Sequence, residues 1–179
     1  VWVSLQPFLA APSAEGLGRL TLVNYRSLWG MSQFKQAVLN TLLVSLLVAS
    51  GTMLISTLTA WTALRGRFRG SSLPDILTFV NAAVPSVVFG LAIMFVYLSF
   101  PILSIYGTVW ILIIALMTRY LTYSTRLMGG AIVQIHQELE EASEASGASA
   151  WTTFRRITLP ILFPSFLNGW LWVAVHALR

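Results

Sequence analysis

Glu141-Ala142-Ser143-Glu144-Ala145-Ser146-Gly147, followed after nine residues by Ile157-Thr158-Leu159-Pro160, is the stretch that decides the reading of this chain. It is a polar, helix-forming island between long apolar segments. Gln134–Ser146 is rich in Ala and Glu, both good helix formers. Gly147 can take the left-handed conformation that closes a helix. Ser149 can then cap a second short helix, Ala150–Arg156, whose basic end suits the negative pole of its dipole. The spacing predicts a helix-turn-helix elbow. Glu138, Glu141 and Ala145 share one face of its first helix, and Trp151 and Phe154 one face of the second.

The apolar segments on either side set the class. The chain is 56% hydrophobic and only 9% charged, against about a quarter charged in a soluble domain. A hydrocarbon core of ~30 Å takes about 20 apolar helical residues to cross. Spans are expected at 37–64, 76–100, 108–123 and 157–178, with 1–11 as the tail of a preceding span and 12–36 outside the membrane. Within 12–36, Asn24–Trp29 reads as a short interfacial helix with Tyr25 and Trp29 at headgroup level. Pro101–Gly107 is an uncharged turn. The net charge of +5 is spread over short loops, so it reports topology and not nucleic-acid binding. Arg65, Arg67 and Arg69 fall on the side of Arg126, Arg155 and Arg156, against Arg19, Arg26 and Lys35 opposite. The positive-inside rule therefore puts the polar island in the cytoplasm.

The island's spacing resembles the signature of the inner-membrane permease family of binding-protein-dependent ABC importers. That signature is Glu-Ala-Ala, three residues, Gly, nine residues, then Ile-x-Leu-Pro. Glu141, Ala142, Gly147, Ile157, Leu159 and Pro160 fall on it, and Ser143 departs from it. The resemblance implies an all-α, polytopic transmembrane helical bundle of the type I importer kind, in a bacterial inner membrane, with a cytoplasmic helix-turn-helix coupling loop over 134–160. It implies that Glu141, Ala142, Ala145, Gly147, Trp151, Phe154, Ile157, Leu159 and Pro160 couple the permease to an ATPase. The implied partners are a cytoplasmic ABC ATPase dimer, a periplasmic substrate-binding protein, a second permease half and the lipid bilayer.

Tyr106-Gly107-Thr108-Val109-Trp110, Arg119-Tyr120-Leu121 and His176-Ala177-Leu178-Arg179 look most like the ferric-iron-type branch, whose members often fuse two permease halves. Spermidine/putrescine, thiamine and phosphonate permeases are similar too.

Other residues carry weaker signals. Pro85, about ten residues into its span, frees the carbonyl of Asn81 and bends the helix. Transporters place such breaks at substrate pathways, so Asn81, Pro85, Ser86, Gly90 and Asn168 are candidate pathway residues. A packing kink is the competing account. Arg119 sits about one turn from the cytoplasmic end of its expected span, where snorkelling competes with a pathway role, and Asp75 is its candidate partner. His176 reads as a packed or interfacial histidine and not a ligand. Glu138, Glu140, Glu141 and Glu144 lie on more than one face of a helix, so they do not converge as a metal site. The chain has no Cys and no Gly-rich phosphate loop, so no catalytic residue or cofactor is expected and ATP chemistry belongs to a partner. An ion-coupled secondary transporter would need intramembrane acids. There is none between Asp75 and Glu138.

Overall fold

A computed structural model of the chain describes residues 2–9, 11–66, 69–100 and 107–179, and for Ser86 the backbone alone. The turn expected at Pro101–Gly107 lies, Gly107 excepted, outside the described residues, as do Tyr106 and Arg67. Every regular element among the described residues is helical, as the apolar periodicity demands.

The chain divides into two compact units, Val1–Leu43 and Val44–Arg179. In the first, the segment expected over 1–11 is described for residues 2–9. They make a 3₁₀ turn at Val3–Leu5 and then bends. Side-chain amides hold them in place. Buried Gln6 donates to the carbonyl of Gly16 (2.8 Å), and Asn24 donates to the carbonyls of Ser4 (3.2 Å) and Gln6 (2.7 Å). Gly16 lies in α1 (Ala14–Leu17), capped by Ser13, and Asn24 in α2 (Val23–Gly30). On α2, Tyr25 and Trp29 are exposed.

Helix α3 (Ser32–Arg65) leads out of this unit and is long and apolar enough to cross a membrane. Small residues let its neighbours approach. Ser45, Ala49, Thr52, Ser56 and Ala60 recur at helical spacing, and all are buried. They face α6 (Val109–Val133) and α9 (Leu159–Ala177). Ser45 donates to the carbonyl of Ala174 (2.8 Å), and the indole N–H of Trp170 donates to Ser50 (3.0 Å). Gly169 makes a close seam: a Cβ there would lie 2.6 Å from Leu127 and 2.7 Å from Met53. Buried Val48, Met53, Met128, Ile132, Leu162 and Val173 fill the space between these three helices.

The expected span 76–100 is two helices, α4 (Leu73–Ala83) and α5 (Ser86–Ser99). The chain turns by 113° between them. Pro85 does more than kink the helix: Val84 is extended (φ −90°, ψ 122°), and α5 begins afresh after Pro85. The residue before a proline is pushed out of the helical region, which explains the complete break. Helix α6 runs ten residues beyond the expected end at Tyr123, so Ser124–Val133 is helix and not part of the polar island. Ser124, Thr125, Met128 and Ile132 are buried along this extension.

Beyond it come α7 (Gln137–Ala145) and α8 (Ala150–Thr153), then a π-helical turn (Phe154–Thr158) leading into α9. Ala150–Ala177 is continuous and is the second helix long and apolar enough to cross a membrane. The expected restart at Leu159-Pro160 is therefore a widened turn. Pro160 has no N–H for the carbonyl of Arg156, and its ring would crowd that carbonyl in a regular α-helix. A π turn relieves the conflict without ending the helix.

Candidate functional site

The elbow between α7 and α8 is closed by backbone geometry. Gly147 has φ +86°. The N–H of Ala148 bonds the carbonyl of Ser143 (3.2 Å), and that of Gly147 the carbonyl of Glu144 (2.9 Å). These two bonds are those of a Schellman cap. Ser149 accepts from the N–H of Thr152 to start α8, and Ser143 bonds Thr153 across the turn (2.9 Å). Nothing lies within 4 Å of a Cβ built on Gly147. The turn needs glycine for its dihedral angles, and its outer side is open.

Underneath, the elbow is fixed to the helices by Glu140, which the sequence does not distinguish from its three acidic neighbours. Glu140 is 8% exposed. It pairs with the Nε of Arg65 at the end of α3 (2.8 Å) and accepts from Thr158 in the π turn (2.7 Å). Arg65 also donates to the carbonyl of Ile135 (2.9 Å), just past the end of α6. One carboxylate and one guanidinium thus join α3, α6, α7 and the start of α9. The same contacts place the end of α3 and the elbow together at one end of this unit.

Glu141, Ala142, Ala145, Gly147 and Trp151 lie exposed on the elbow, Pro160 is exposed, and Ile157 and Leu159 are half-buried. Phe154 differs from expectation. At 3% exposure it is no anchor for a partner. Its ring packs on Trp61 of α3 (4.6 Å between centroids), with Trp151 stacked outside it at 5.4 Å. A recess of about 390 Å³ beside it is lined by Trp61, Thr62, Arg65, Glu140, Glu141 and Glu144 among others.

The second feature lies at the broken helix. A cavity of about 510 Å³ is lined by Asn81 and Ala82 of α4, Phe89 and Gly90 of α5, and Arg119 and Tyr123 of α6, with their neighbours. It brings together Asn81 and Gly90 of the candidate pathway residues. Pro85 makes the break but does not line the cavity, and the side chain of Ser86 lies outside what is described. Asn168 is exposed on α9 and is not among the lining residues. Asn81 also serves packing, because its amide donates to the carbonyl of Thr118. Asp75 pairs with Arg126, whose guanidinium lies over the ring of Phe79 (4.6 Å), and not with Arg119. His176 stacks on Trp172 (3.9 Å), while its carbonyl accepts from Tyr120 (3.1 Å).

The family model of the binding-protein-dependent transport system inner membrane component matches residues 53–179. The ferric transport system permease protein FbpB of Actinobacillus pleuropneumoniae is 30% identical over 162 residues, 89% of this chain and 23% of that protein. The spermidine/putrescine transport system permease protein PotC of Haemophilus influenzae is 26% identical over 147 residues, 82% of this chain and 56% of PotC. A probable sulfate transport system permease protein, cysT of Anthoceros angustus, is 34% identical over 119 residues, 62% of this chain and 41% of that protein. The chain spans from about a quarter to just over half of the length of these relatives. With the match running from the middle of α3 through the elbow to the last residue, the chain belongs to the family of binding-protein-dependent transport system inner membrane components.

Proposed function

We propose that this chain is part of a permease subunit of an ATP-binding-cassette importer. In this reading α3–α6 and α9 form part of a substrate path across the inner membrane, and the 134–160 loop couples that path to a cytoplasmic ATPase dimer. A periplasmic binding protein delivers the substrate, and a second permease half completes the path. The observation that carries the reading is the elbow. Its outer surface, from Glu141 to Trp151, is open, while Glu140, Phe154 and Thr158 fasten its inner surface to the membrane helices. A push on such an element moves α3 and α9 with it instead of bending a loop, which is how a ligand on one subunit biases a two-state element in another. The chain itself performs no catalysis in this scheme. Ferric iron is the proposed cargo, on the likeness to the ferric permease. The polyamine and sulfate permeases supply the alternatives.

The test is co-purification of the full-length protein with its ATPase, comparing wild type with Gly147→Asp. Aspartate would strain the left-handed turn and place a charge on its open side. The expected result is loss of the ATPase and of ATP-driven uptake, with the permease still in the membrane. Retention of both by the mutant, or uptake by the wild type without ATP, overturns the coupling role.

A further inference from the structure

The cavity at the α4–α5 break carries charge of one sign only. Among the described residues of α4, α5 and α6 the charged side chains are Asp75, Arg119 and Arg126. Asp75 and Arg126 neutralise one another. Arg119 alone of the three lines the cavity, and among the described residues no carboxylate or hydrogen-bond acceptor engages it. Because α6 continues to Val133, Arg119 is not near a helix end. It lies about 15 Å from the first residue and about 21 Å from the last, at ~1.5 Å per residue. Its side chain is exposed along the cavity wall, well away from either end of α6.

We infer that this cavity is an anion-binding subsite of the transport path, with Arg119 as its charged ligand and an oxyanion or an anionic metal complex as its cargo. The inference rests on the importer reading and narrows the substrate class within it. A guanidinium presents a planar fork of donors that matches sulfate, phosphate and carboxylate oxygens. Two neighbours can complete the site. The Asn81 amide keeps a second N–H after bonding Thr118, and Tyr123 brings a phenol whose ring is stacked on Trp172 (4.0 Å). A polyamine or a bare ferric ion would meet a like charge here and no carboxylate. Iron would pass this point as a complex whose ligands leave it negative. A phospholipid headgroup offers the same phosphate chemistry, so the test separates the two sources.

The test uses the full-length protein, stripped of phospholipid in maltoside detergent, with radiolabelled inorganic sulfate as the probe and spermidine as competitor. Wild type, Arg119→Gln and Arg119→Lys are compared, and bound phospholipid phosphorus is assayed before stripping. The expected result is saturable sulfate binding, unaffected by spermidine and weakened about tenfold or more in Arg119→Gln, as for loss of a charged hydrogen-bonding group. Arg119→Lys should fall between, which separates loss of charge from loss of fold. Sulfate binding that is absent, or equal in Arg119→Gln, overturns the inference, as does displacement by spermidine. Headgroup phosphorus lost only from Arg119→Gln, without sulfate binding, also overturns it by assigning the site to lipid. No ATPase is needed for this measurement. Sulfate bound at Arg119 in a protein that retains no ATPase would sink the importer reading alone. An ATPase retained by wild type and lost in Gly147→Asp, with no sulfate bound, would sink the anion subsite alone.

Discussion

Glu140 shows how one residue can be set apart from identical neighbours by what lies beneath it. Glu138, Glu141 and Glu144 are on the same short helix, yet Glu140 is the buried one, and Arg65 and Thr158 take its two oxygens. Removing one member of such a mostly buried pair leaves the other charge unpaired, at a cost of about 3–5 kcal/mol, whereas removing both costs less. Glu140→Ala and Arg65→Met should therefore each lower the unfolding temperature in detergent more than the double mutant predicts by addition. A cycle with no coupling energy would mean that the pair contributes nothing to holding the elbow. Gly147 makes the opposite case: nothing crowds it, and its contribution is its dihedral angle.

Among the elements, the α4–α5 break is the largest departure from what the sequence suggests. Its hydropathy reads as one span because Val84-Pro85 is itself apolar, and hydropathy does not register direction. The proline was visible, but whether it kinks or breaks the helix depends on packing. Here Asn81 is bonded to Thr118, and Thr122 to the carbonyl of Thr78, so α4 is held on α6 up to the break. Pro85→Ala restores an N–H and relaxes the restriction on Val84. Spin labels at exposed Leu77 and Phe95 should then report a longer separation as the two helices align. An unchanged distance distribution would show that tertiary packing, not Pro85, imposes the 113° turn. The π turn before Pro160 was equally illegible, since a motif read from spacing does not reveal which hydrogen bonds its proline removes.

For the whole molecule, composition and apolar run lengths were enough for an all-helical membrane chain, and the elbow's cap was legible because Gly147 and Ser149 act through local backbone chemistry. The clamp on the elbow was not, because it joins Arg65 to Glu140 across the whole of α4–α6. The burial of Phe154 was hidden for the same reason: its partner Trp61 lies in α3, with α4–α8 between them in the chain. The fold places Arg65 beside the elbow, and the proposed orientation puts both in the cytoplasm. The chain lacks cysteine, so a single substitution adds the one reactive thiol within residues 1–179. Ser146→Cys and Gly70→Cys should react with an impermeant maleimide only from the cytoplasmic side. Labelling of the two from opposite sides would break the topology.

The pairing of Asp75 with Arg126 has a consequence in time. The two residues are 51 positions apart. A ribosome adding about 5–20 residues per second needs roughly 3–10 s to make the intervening chain. During that interval a carboxylate waits without its partner while α5, with no buried residue among those described, is being made. The insertion machinery must therefore tolerate an unfinished charge pair, and α4 can settle on α6 only after α6 itself has been made.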